Sequence, residues 1–256
     1  MQSSQAPLSR DRLDRALVAR GLAPTRARAQ DLIRRGLVRV EGIIEESPGR
    51  LIAPTQAIAV AATHADPHHV SRGSEKLAAG LAHFSFPVVG RIALDVGAST
   101  GGFTRVLLDA GVARVHAVDV GHGQMHASLR NDARVHLLED CDARDIDAAL
   151  IGERVSAIVA DVSFISLTKV LPAVLALAAP GAWLIALVKP QFEAGREALS
   201  KRGVVRDARV REEALSRVVH FVAAQAGWRV AGTLPSPIAG GSGNQEYLLG
   251  ATFDAS

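Results

Sequence analysis

From Gly73 onward the chain alternates short apolar runs with helical patterns, and nothing else in it restricts the fold so strongly. The runs are Ile92 to Val96, Val115 to Val118, Val135 to Leu138, Ala157 to Ala160 and Trp183 to Val188. Short apolar runs bounded by turn residues read as strands buried on both faces. Strands separated by helices pair in parallel and wind those helices over both faces of one sheet, so the expected class is α/β and doubly wound. Arg229 to Leu234 and Glu246 to Thr252 read instead as a strand pair. Val170 to Val188 carries no charge and is about the length of a bilayer span. Pro180-Gly181 breaks it, and a Pro-Gly pair reads as a turn. The stretch therefore divides into a helix ending near Ala179 and a strand from Trp183.

Composition narrows the function. With 48% hydrophobic and 21% charged residues, the chain excludes disorder, collagen and coiled coil as descriptions of the whole. One cysteine, Cys141, excludes an intrachain disulfide framework and a cysteine-based zinc site, and suits a reducing compartment. No apolar segment of signal type follows the early charges at Arg10, Asp11, Arg12, Asp14 and Arg15, so a cytoplasmic location is expected. Charge is uneven: residues 1–60 hold ten basic and six acidic side chains, whereas the remainder holds 19 and 20. A basic segment suits a polyanion partner or is a solvated surface. Only four of the 29 basic residues are lysines: Lys76, Lys169, Lys189 and Lys201. Lysine can give up its proton where its surroundings favour the amine; arginine effectively cannot.

Residues 9–60 read as a small α+β domain. Leu13, Ala16 and Leu17 form an apolar stripe that Gly21 ends. Thr25 is the expected N-cap of a second helix, with Ala29, Leu32 and Ile33 inward and Gly36 beyond its end. Leu37 to Val40, Ile43-Ile44 and Ala57 to Val60 read as strands. Arg26, Arg28, Arg34, Arg35 and Arg39 make a basic face. Arg12-Leu13-Asp14, Arg20-Gly21-Leu22, Thr25-Arg26, Ala29, Ile33, Gly36 and Val38 to Gly42 together resemble the S4-type RNA-binding domain. The resemblance implies RNA contacts from Arg12, Arg26, Arg28, Arg34, Arg35 and Arg39. Glu45-Glu46-Ser47-Pro48 departs from the pattern, where a lysine often precedes the proline. Residues 61–72 have linker composition; His64, His68 and His69 could bind metal, but no cysteine or acidic cluster lies nearby, which favours a solvated linker.

Residues 73–256 make up the second domain. Its first strand–turn–helix contains Asp95-Val-Gly97-Ala-Ser99-Thr-Gly101-Gly-Phe103. Glycines at a strand end let a ligand approach the backbone, and the helix start supplies free N–H groups. The next strand ends in Asp119, 22 residues past Gly97, where a carboxylate can accept both ribose hydroxyls. Serine at position 99 breaks the dinucleotide fingerprint, and no lysine follows Gly102 as a P-loop requires. What remains resembles the S-adenosylmethionine loop of Rossmann-like class I methyltransferases, with another nucleotide or a structural turn as the alternatives. On that resemblance Gly97, Ser99, Gly101 and Phe103 surround the methionine part, Asp119 meets the ribose and Asp142 the adenine edge.

Asp161 and Lys189 each follow a buried run directly, a costly place for a charge without a partner. They either pair structurally or handle a proton beside the reacting methyl. Asp161-Val-Ser-Phe differs from the Asp/Asn-Pro-Pro-aromatic motif of amino-group methyltransferases and favours a hydroxyl target. Ser71 to Leu77, Leu94 to Phe103, Ala117 to Gly121, Leu129 to Asp132, Ala160 to Leu167, Val188 to Arg196, Gly203 to Asp207 and Gly243 to Leu248 together resemble the TlyA-type (haemolysin A-like) RNA methyltransferases, whose catalytic domain is FtsJ-like. The resemblance implies 2′-O-methylation of a ribose, a cytidine in ribosomal RNA, by Lys76, Asp161, Lys189 and Glu246. It implies S-adenosylmethionine as donor, no metal, and ribosomal RNA or subunits as partner, with no protein or membrane partner. The alternatives are a non-catalytic RNA-binding protein and a membrane-lytic protein.

Overall fold

In the computed structural model, which describes residues 10–23, 26–34, 36–60, 72–200, 202–240 and 243–254, the chain divides into two compact units, Met1–His64 and Ala65–Ser256. Thr25, Arg35 and the histidines at 64, 68 and 69 lie outside the described residues.

The first unit runs β1 (Asp11–Arg12), α1 (Leu13–Ala19), α2 (Arg26–Arg34), β2 (Val38–Val40), β3 (Ile43–Ile44), β4 (Leu51–Ile52) and β5 (Ile58–Val60). Leu13, Leu17, Ile33, Val38, Val40 and Ile52 form its core. Gly21 and Gly36 take positive φ at the two helix ends, as the sequence suggests. β3, β2 and β5 form one antiparallel sheet. The pairing of β1 with β4 was not anticipated, because two-residue strands carry no period. It matters for α1, whose first N–H groups are satisfied by a distant turn: Leu13 donates to Arg50 O and Asp14 to Pro48 O.

The second unit runs α3 (Arg72–Phe84), β6 (Ile92–Val96), α4 (Gly102–Asp109), β7 (Arg114–Val118), α5 (Ala127–Arg130), β8 (Val135–Leu138), α6 (Ala148–Ile151), β9 (Val155–Ala160), α7 (Leu167–Leu175), β10 (Ala178–Val188), α8 (Pro190–Glu193), α9 (Ala208–Ala223), β11 (Trp228–Pro235) and β12 (Tyr247–Phe253). Its seven-stranded sheet has the order β11-β12-β10-β9-β6-β7-β8. β12 is antiparallel to both neighbours, and β10 through β8 are parallel. Successive residues of each central strand enter opposite cores. Leu94, Ile158 and Leu184 pack with Leu171 and Val174 of α7 and Val218 and Val222 of α9. Ala93, Val159 and Ile185 pack with Leu77 of α3 and Leu107 of α4. Burial on both faces is why these strands read as mostly apolar runs.

The Pro180-Gly181 expectation is corrected. α7 stops at Leu175, and β10 begins at Ala178, ahead of the proline. Val155 N donates to Leu177 O, so strand pairing captures residues whose alanines and leucines also suit a helix. Pro180 and Gly181 lie in an irregularity of the β9–β10 register between Ala178 and Trp183. No helix among the described residues is long and apolar enough to cross a membrane.

This topology gathers the site. β6, β7, β9 and β10 all end at one edge, carrying Gly97, Asp119, Asp161 and Lys189. β12 runs the other way and begins at that edge. Its Tyr247 pairs with Val188, which sets Glu246 level with Lys189.

Candidate active site

The glycine loop is held open by conformations only glycine adopts cheaply. Gly97 has φ +86°, and a Cβ there would lie 2.6 Å from the carbonyl oxygen of Asp161. Gly101 has φ +95°, and its Cβ would lie 2.2 Å from Leu129 Cδ1. Ser74 Oγ, at the start of α3, donates to Gly102 O at 2.9 Å and ties that helix to the loop.

Asp119 accepts from Ser99 N at 2.7 Å through one oxygen and from Gly121 N at 2.6 Å through the other. Two backbone bonds fix its orientation and leave lone pairs on both oxygens, a donor set that fits two ribose hydroxyls. Asp142 is differently placed. Both its oxygens are engaged by Arg144, at 2.9 and 2.6 Å, and these bonds hold its carboxyl below the usual range. Phe103, in the first turn of α4, is 3% exposed and packs in the core that α4 shares with the sheet and α3.

The four charged residues form two ion pairs. Lys76 Nζ lies 2.6 Å from Glu246 Oε2, both side chains buried. Lys189 Nζ lies 2.6 Å from Asp161 Oδ1 and donates to Ser163 Oγ at 2.8 Å. Gln191 Nε2 reaches back to Glu246 Oε1 at 3.4 Å, between the pairs. The absence of a side chain at Gly240 makes room for Glu246, whose Oε1 would be 2.3 Å from a Cβ there. Phe164, at φ +66° and 42% exposed, stands 5.0 Å from the Phe192 ring, and that ring is 6.0 Å from Lys189 Nζ.

Several supporting residues have no periodic signature. Glu193 is buried, and burial raises its carboxyl; it accepts from Ser166 Oγ at 2.5 Å and Leu167 N at 2.8 Å. It thereby joins α8, which follows Lys189, to the start of α7, which follows the Asp161 loop. Asn244, buried two residues before Glu246, accepts from Val205 N at 2.9 Å and donates to Gly203 O at 3.0 Å. Asp95 is fully buried behind the glycine loop. It accepts from Thr104 Oγ1 at 2.6 Å, and burial pushes its carboxyl up to about 7. Its second oxygen has no hydrogen-bond partner, a smaller penalty for a neutral carboxyl than for a carboxylate. Among the described residues no group of three or more His, Cys, Asp or Glu side chains could hold a metal ion.

In the first unit, the expected arginines divide. Arg12 contacts the buried Asp14 through two nitrogens at 3.1 Å, and Arg26 Nε joins it at 3.0 Å. Burial disfavours the Asp14 carboxylate, but hydrogen bonds from Arg12, Gln30 and Arg26 outweigh it and hold the carboxyl well below its ordinary range. Arg34 and Arg39 are exposed on α2 and β2. Arg28 falls on α2, with its side chain outside the described residues, as is Arg35.

The family model for FtsJ-like methyltransferases matches residues 69–253, spanning the whole seven-stranded sheet and both ion pairs. The chain belongs to the FtsJ-like methyltransferases. The S4 domain model matches residues 11–58 of this methyltransferase. It is 47% identical to the 16S/23S rRNA (cytidine-2′-O)-methyltransferase TlyA of Mycobacterium tuberculosis, over 94% of this chain and 89% of the relative. It is 40% identical to hemolysin A of Brachyspira hyodysenteriae, over 93% and 98% of the two chains. A solved Streptococcus thermophilus protein, provisionally described as a hemolysin, superposes with a TM-score of 0.70 at 38% identity, covering 97% of this methyltransferase and 90% of that chain.

Proposed function

We propose that this chain methylates the 2′-hydroxyl of a cytidine ribose in ribosomal RNA, with S-adenosylmethionine as the methyl donor. The observation that carries the reading is the pair of lysine–carboxylate contacts, Lys76–Glu246 and Lys189–Asp161, at the sheet edge that also carries the glycine loop. The 47% identity to a cytidine-2′-O-methyltransferase supports the substrate class.

Gly97, Ser99, Gly101 and Phe103 would surround the methionine end of the donor, Asp119 its ribose, and Asp142, sharing Arg144, the adenine edge. When bound, the donor supplies a methyl group on a positive sulfur, which becomes a neutral thioether on losing it. A ribose hydroxyl is a poor nucleophile at neutral pH, so its proton must be taken as its oxygen attacks. Lys189 Nζ takes that proton in its amine form. Asp161 holds the ammonium that results. Glu246 fixes Lys76 beside the reacting hydroxyl. Holding both substrates in line contributes on the order of 7 kcal/mol or more when alignment is good.

We assign residues 9–60 to RNA docking through Arg12, Arg26, Arg28, Arg34, Arg35 and Arg39, residues 61–72 to a linker, and residues 73–256 to catalysis. A ribosomal substrate sets the work in the cytoplasm. The test is transfer of labelled methyl from S-adenosylmethionine to unmodified ribosomes and subunits, followed by mapping of the product. A cytidine 2′-O-methyl is expected. Absence of transfer to every ribosomal particle, with the donor still bound, overturns the reading.

A further inference from the structure

We propose that Ser163 is the positioning residue that aims the Lys189 amine at the attacking hydroxyl, an inference that rests on Lys189 being the base. Lys189 Nζ has two close polar neighbours, and they act differently. Asp161 Oδ1 is 2.6 Å away in an ion pair whose alignment is not that of a hydrogen bond. Asp161 therefore supplies charge, which acts without regard to angle. The directed hydrogen bond runs from Nζ to Ser163 Oγ at 2.8 Å. Hydrogen bonds weaken steeply off axis, so this contact adds a direction to the hold that the ion pair supplies.

Orientation matters because a lysine head sits on a freely rotating stem. A neutral amine has one lone pair and two N–H bonds. It takes a proton only when the lone pair faces the hydroxyl. Committing one N–H to Ser163 leaves the remaining two directions to share the space on either side. The aromatic ring of Phe192 lies 6.0 Å from Nζ.

The serine is itself held in place. Asp161 N donates to Val96 O at 2.9 Å where the loop leaves β9, and its carbonyl lies so close to Gly97 that a Cβ there would be 2.6 Å away. Glu193 clamps Ser166 and Leu167 at the other end. Ser163 thus lies on a short segment tied at both ends, although the residue is exposed. An exposed serine on an ordinary loop is replaceable by alanine at little cost. Here the same replacement releases the catalytic amine.

The experiment measures methyl transfer to unmodified ribosomal subunits by the full chain and by Ser163→Ala, Ser163→Thr and Lys189→Ala, with donor affinity and melting temperature recorded for each. Ser163→Ala should lower kcat by roughly 10- to 100-fold, the scale of a small misplacement of a reacting group. Its KM for RNA and its donor affinity should stay within about twofold. Ser163→Thr keeps the hydroxyl and should recover most of kcat. A Ser163→Ala kcat close to wild type, or a loss carried by KM, overturns the aiming role while Lys189→Ala remains inactive. Wild-type turnover by Lys189→Ala overturns the base assignment and the aiming role with it.

Discussion

Lys76 and Lys189 each face a carboxylate oxygen at 2.6 Å, but their surroundings differ. Lys76 and Glu246 form a closed pair, packed against Gly240 and touched by Gln191. Lys189 opens toward an exposed serine. Lys189→Ala should abolish methyl transfer and leave donor binding nearly intact, because the glycine loop belongs to β6 and α4. Lys189→Arg should be as inactive, since a guanidinium keeps its proton. Turnover by the arginine variant would show that only the charge is needed. Asp95 makes a separate prediction. Its carboxyl, raised by burial to about 7, keeps a proton that the unfolded chain has lost above about pH 4. The stability it confers is complete below that lower value and is lost as the pH rises through the upper one. The melting temperature of the wild type should therefore fall between about pH 5 and pH 8 more steeply than that of Asp95→Asn. Parallel slopes would refute this. Charged residues such as Asp161 and Lys189 were legible because each interrupts an apolar run. Ser163, Glu193 and Asn244 were not, because a polar residue on a loop reads as solvated until its partner, distant in sequence, is known.

At the scale of elements, the central strands were legible because burial on both faces keeps them short and mostly apolar, with Asp95 and His116 the buried exceptions. The two-residue strands β1 and β4 offered no such pattern. Pro180-Gly181 carries a strong turn signal, and tertiary pairing turned it into an irregular strand entry. The glycine loop was legible because its glycines are required in place. Gly97→Ala should raise the dissociation constant of the donor at least roughly tenfold and cost about 1–3 kcal/mol of stability, the cost of a strained conformation in a packed site. The cause is the Asp161 carbonyl, 2.6 Å from where the new methyl would stand. Donor titration and thermal unfolding measure both effects, and unchanged donor affinity would mean that the loop does not line the donor site.

For the whole molecule, the two units have separate cores: Leu13, Leu17 and Ile33 in one, and the two faces of the sheet in the other. A chain lacking residues 1–60 should therefore still fold its sheet and bind donor. Its RNA affinity should drop and depend less on salt, the slope falling by roughly 0.7–0.9 for each phosphate that is no longer neutralised. An unchanged slope would show that RNA is anchored elsewhere. The Lys76–Glu246 contact joins residues 170 apart in sequence, and its carboxylate introduces β12, the strand inserted between β10 and β11. Translation makes the amino-terminal unit first and this strand last of the sheet. At typical synthesis rates the interval from residue 60 to residue 246 is roughly ten to forty seconds. By the end of that time the strand ends that carry Gly97, Asp119, Asp161 and Lys189 have been made, while Glu246 and the seat for β11 come last. A chain cut short before residue 246 would therefore lose in one stroke the partner of Lys76 and the strand that seats β11.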